Sequence, residues 1–164
     1  MNKTSFRQRI SAFGLCILLC SVFASAPAVA DTKAPAISLE LPSAHRVVFQ
    51  VSENDPALMN LTLNNIVNLE SYYTGIGKTV EIELVAYGPG LNMLRADTSP
   101  VRARLSQIKN SISGVTFSAC NVTLQAMEKA EGKKISVVPE AGIVPAGVVR
   151  IMTLEEAGWS YIKP

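Results

Sequence analysis

Gly114-Val115-Thr116-Phe117-Ser118-Ala119-Cys120-Asn121-Val122-Thr123-Leu124 is the stretch on which the reading of this fold turns. Gly114 to Ala119 is a short β-branched and aromatic run, predicted as a strand. From Asn121 to Glu131 the pattern becomes helical, with no loop between. A strand that feeds straight into a helix belongs to a parallel α/β sheet. Cys120 stands at the junction, where free backbone N–H groups and the positive end of the helix dipole favour thiolate over thiol.

Working upstream, Val47, Val48, Phe49 and Val51 make a nearly continuous apolar run that starts at His45, as a buried parallel strand would. Asp55 is placed to cap a helix and Pro56 to open it. That helix is expected to run to about Tyr73 and stop at Gly75. Met59, Leu63, Ile66, Val67 and Tyr73 trace its apolar stripe, and Asn60, Asn64 and Asn68 its wetter face. Thr79 to Tyr87 reads as the second strand. Val80, Ile82, Leu84 and Ala86 lie on one side, with Glu81 and Glu83 on a solvated or inter-subunit face. Gly88-Pro89-Gly90 follows, then a short helix over Leu91–Arg95 and another over Ser99–Ser111.

Downstream of the junction, Ile135, Val137 and Val138 form a brief apolar run. Pro145 opens a last helix to about Ala157, stopped by Gly158, and Trp159, Tyr161 and Ile162 close the chain as a strand. The alternation predicts an α/β fold of three layers, α/β/α, with a mainly parallel sheet of about five strands. Ligands and chemistry gather at the carboxyl ends of such strands. Three segments are therefore expected to converge: Ser52 to Asp55, Tyr87 to Gly90, and Cys120-Asn121. The candidate site is Cys120 as the reactive group, with Asn121, Gly88, Pro89, Gly90, Asn54 and Asp55 as binding residues.

The first thirty residues read as a secretory signal. Lys3, Arg7 and Arg9 precede an apolar stretch from Ile10 to Phe23, and Ala28-Val29-Ala30 supplies a cleavage site. The stretch is shorter than the roughly 20 apolar residues of a membrane span. Leu15 and Leu19 before Cys16 and Cys20 argue against lipoprotein processing, which wants a small residue there. A periplasmic or secreted domain over 45–164, behind a Pro-containing tether over 31–44, is the expected organisation. Of 15 basic residues those three fall in the signal, so the chain from Asp31 holds 12 against 13 acidic ones, about −1 rather than the +2 of the whole sequence. No basic face argues for nucleic acid, and no membrane association is expected once the signal is gone.

Cys120 is the one cysteine left after such cleavage, so no second thiol is present to resolve a mixed disulfide, which disfavours a thiol–disulfide oxidoreductase. A packed, inert cysteine is the alternative, and a thiol oxidised by peroxide to signal is a third reading. His45 is the single histidine and falls at the far end of its strand, so neither a Cys-His hydrolase nor a metal site follows. Gly88-Pro89-Gly90 lacks the spacing of a nucleotide fingerprint, and no cofactor is indicated. A tight turn is its plain reading, an anion cradle its functional one.

Several segments together resemble DsrE/DsrF-like proteins. They are His45-Arg46-Val47-Val48-Phe49-Gln50-Val51, Ala86-Tyr87-Gly88-Pro89-Gly90-Leu91, Phe117-Ser118-Ala119-Cys120-Asn121, and Val144-Pro145-Ala146-Gly147-Val148-Val149-Arg150-Ile151 with Gly158-Trp159-Ser160-Tyr161-Ile162. The resemblance covers about residues 45–164. It implies a YchN-like domain that assembles as a trimer or hexamer and a cysteine, at Cys120, that receives a persulfide sulfur from a donor protein and passes it to an acceptor. After Cys120 the Arg-Gly of the relay proteins is replaced by Asn121-Val122. The competing expectation is an oligomeric binding module for a small molecule or protein, with Cys120 structural.

Overall fold

The computed structural model describes residues 45–164; the signal and tether expected over 1–44 lie outside the described residues. The sheet is built on β1 (His45–Val51), β2 (Val80–Ala86), β3 (Val115–Cys120), β4 (Ala141–Val144) and β5 (Ser160–Ile162). All pairings are parallel, in the order β4-β3-β2-β1-β5. Between the strands run α1 (Pro56–Gly75), a 3₁₀ helix (Gly88–Leu94), α2 (Arg102–Ser111), α3 (Asn121–Glu131) and α4 (Gly147–Glu156).

The connections explain the layers. From β1 to β4 the chain steps one way across the sheet, and right-handed crossovers put every intervening helix on one face, here called the front. The return from β4 to β5 crosses the whole sheet, so α4 lands on the back. Val47, Phe49, Ile82, Leu84, Val115 and Phe117 point forward into the main core with Met59, Leu63, Ile66, Leu105 and Leu124. On the back, only Val48 and Val85 from the sheet meet Ile151 and Leu154 of α4, with Tyr87 and Trp159 at the margin. The fold is therefore three-layered and α/β, with one thick and one thin helical layer.

Local signals set most boundaries. Asp55 caps α1, its Oδ1 accepting from the Ala57 amide at 2.8 Å, and Pro56 follows as the first helical residue. Gly158, at φ +83°, turns the chain after α4. Three expectations need correction. The second strand ends at Ala86 and α2 begins only at Arg102. The helix expected over Leu91–Arg95 is 3₁₀ in form and starts at Gly88. Val67 is exposed, because its place in α1 is one step round from the Leu63–Ile66 stripe. The brief apolar run Ile135, Val137 and Val138 lies outside the sheet. Ile135 and Val138 drop into the core, and Val137 makes a single antiparallel bridge to Arg95. The fourth strand is Ala141–Val144, a short edge without polar alternation.

Candidate functional site

The three expected segments do meet at the carboxyl edge. The Gly88 amide donates to Thr123 Oγ1 at 3.0 Å, and Asn92 Nδ2 donates to Asn54 Oδ1 at 2.8 Å. Gly88 sits at φ +51°, and a Cβ on Gly90 would lie 2.4 Å from the Val51 carbonyl oxygen. The Gly88-Pro89-Gly90 run thus lets the 3₁₀ helix press against the end of β1. It does not form an open cradle: the Gly88 amide is taken by Thr123, Pro89 has none, and Gly90 is buried.

A groove of about 600 Å³ opens on the front side of this edge. Asn54, Gly88, Pro89 and Asn92 form one wall, and Val122, Thr123, Ala126, Met127 and Ala130 of α3 the other. Arg95 reaches it, but its guanidinium is engaged by Asp97 and Glu131, with Lys133 alongside. The hydrogen bond it donates to Asp97 and then that to Glu131 raise the guanidinium pKa further above its ordinary value, so the cation is already neutralised. The groove is mainly apolar. Asp55 faces α1 as its cap and Asn121 is half-buried at the start of α3; neither lines the groove.

Cys120 lies elsewhere. It shares the back face of β3 with Ser118, paired with Val144 of β4, and is 5% exposed. The candidate reactive thiol is therefore buried. The cover is the first turn of α4: a Cβ on Gly147 would fall 3.2 Å from the Cys120 Cβ and 3.0 Å from the Tyr87 Cβ. Any larger residue at 147 would crowd both side chains. Two helices thus aim their amino ends at one sulfur, α3 from the same strand and α4 from β4.

The electrostatics follow from this geometry. Burial pushes the thiol pKa up. The Thr123 hydroxyl and the Thr123, Gly147 and Val122 amides pull it down and prevail, so the net value is below the ordinary 9.0. No side chain caps either α3 or α4, since Cys120 and Ala146 occupy the cap positions without closing a tight cap bond. The uncapped amides are left to polarise the sulfur. Thr123 joins the two sides of the edge, accepting from Gly88 on the groove side while its hydroxyl also acts on the thiol.

Behind the thiol is a polar network that periodicity misassigned. Glu83 is buried at 2% exposure, not solvated. Its Oε1 accepts from Ser118 Oγ at 2.6 Å and Arg150 Nε at 2.9 Å, and its Oε2 from Arg150 Nη2 at 2.7 Å. The sequence reading gave Thr123, Gly147, Ser118, Glu83 and Arg150 no part in the site. Only the absence of a capping side chain before Gly147 hinted that its amides serve something else. His45 is buried at the opposite edge, stacked on Tyr73 with centroids 4.0 Å apart. Among the described residues no group of three or more His, Cys, Asp or Glu side chains is placed to hold a metal ion, and no helix is long and apolar enough to cross a membrane.

Fold and edge together define a class: a five-stranded, all-parallel α/β/α domain with a lone cysteine between two helix amino ends. No family model and no curated protein matches the sequence. A solved structure described as a protein of unknown function, MTH1491 from Methanobacterium thermoautotrophicum, is 33% identical. The match covers 73% of this chain and 99% of that one, with a TM-score of 0.61. The chain belongs to the same family as that protein.

Proposed function

We propose that this is an exported, homo-oligomeric DsrE-like protein that carries sulfur on Cys120. The observation that supports it is the pair of uncapped helix amino ends around that sulfur, an arrangement that favours an anionic thiolate or persulfide. In the transfer, the Cys120 thiolate attacks the outer sulfur of a donor persulfide. The new S–S bond forms as the donor's own S–S bond breaks, and the donor leaves as a thiolate with the electron pair. No net oxidation occurs, and no cofactor is needed. The reverse step passes the sulfur to an acceptor thiol.

Incubating the native protein with polysulfide should add one sulfur, roughly 32 Da, at Cys120, removable by a small thiol. No adduct on a protein whose Cys120 also resists alkylation would end this reading. A second reading has its own support, because the groove opens on the front while the thiol sits on the back. A binding module would use the groove, and Cys120→Ser would leave binding there unchanged.

A further inference from the structure

We propose that Glu83 and Arg150 are positioning residues for Cys120: by fastening α4 to the back of β2 they hold the Gly147 turn against the sulfur. This inference rests on the sulfur-carrying reading and adds a control over that site. Arg150 lies one turn beyond Gly147 in α4, and its backbone amide donates to Ala146 at 2.9 Å, tying it to the turn that covers the thiol. Its guanidinium grips Glu83 through two nitrogens. Glu83 also accepts from Ser118, the residue whose side chain precedes Cys120 on the same face of β3. Few apolar contacts hold α4 down otherwise, since its buried residues beyond Gly147 are Ile151 and Leu154. A buried carboxylate cannot release its partner without large cost, so the pair fixes where the helix rests.

The cover has two opposite effects. It shields the sulfur from a reagent, and it supplies an amide that favours the charged form. Loosening it should uncouple the two: the thiol becomes easier to reach yet harder to ionise. Few titratable groups lie on the elements packed round the thiol. They are Glu83 and Tyr87 from β2 and its end, and Arg150 from α4, with Tyr161 of β5 acting on Tyr87. The first turn of α3 and all of β4 carry none.

The test is the pH profile of iodoacetamide alkylation at Cys120 in the full chain, read on the Cys120 peptide by mass spectrometry. Glu83→Gln with Arg150→Met removes both charges together. It should raise the plateau rate at high pH and move the midpoint to higher pH, lowering the thiolate fraction at pH 7 roughly 2- to 5-fold, the factor one helix end carries. Arg150→Lys should restore part of the wild-type profile. Gly147→Ala, which pushes the turn outward with the ion pair intact, should reproduce the double variant and serves if the latter does not fold. Arg104→Met, which cuts α2 from Asn60 and Asn64 of α1, should leave the profile unmoved. A wild-type midpoint in folded Glu83/Arg150 and Gly147 variants would overturn the proposal, as would an equal shift in Arg104→Met. Alkylation needs no sulfur donor, so this result stands apart from whether Cys120 carries sulfur.

Discussion

The two faces of one sheet are held in different ways. In front, the 3₁₀ helix, α1, α2 and α3 cover β1–β3 with a continuous apolar core around Phe49, Phe117, Leu63 and Leu105. Behind, one helix sets its own Ile151 and Leu154 against Val48 and Val85 of the sheet and adds an ion pair. The front is secured by many small, non-directional gains. The back depends on a geometry that fails if one partner goes. Polar groups gather on the second kind of face, because a carboxylate, a guanidinium and a thiol can share it only where packing leaves room for them.

The largest effect should come from the front. Phe117→Ala removes a fully buried ring and should cost about 3–5 kcal/mol, read by denaturant unfolding. Arg150→Met should cost less, about 2–3 kcal/mol, since the buried Glu83 is left unpaired while Arg150 itself is 40% exposed. Adding Glu83→Gln to it should recover most of that loss. If the double variant is no more stable than Arg150→Met, the back is not governed by the charge pair.

The smallest effect sharpens the comparison at the thiol. A thiol whose pKa is depressed on folding contributes stability that is present above the unfolded value and lost as pH falls through the folded one. Between the two values the unfolded chain binds more protons, so stability rises with pH. The unfolding midpoint of the wild type should therefore gain on Cys120→Ser as pH is raised from about 6 to about 9. A constant difference across that range would mean that the amides of α3 and α4 do not act on the sulfur.

Much of the front was legible beforehand. Asp55-Pro56 marked the start of α1, and the Cys120-Asn121 junction marked that of α3, because caps and hydrophobic period are local. The weak points were short or two-sided elements. Ala141–Val144 offered no alternation to read, and the apolar run just before it drew attention that the core, not the sheet, had claimed. Period two placed Glu83 on the correct side of β2 but could not say what covers that side.

By itself the amino-acid order determined the succession of strands and helices and put a cysteine at the end of a strand, since each depends on neighbours a few residues apart. What lies over that cysteine was decided only in three dimensions. The return from β4 to β5 carries α4 across the back, where Arg150 meets a carboxylate 67 residues earlier in the chain and Gly147 closes on the sulfur. No local pattern encodes a contact that exists only after the chain has crossed its own sheet.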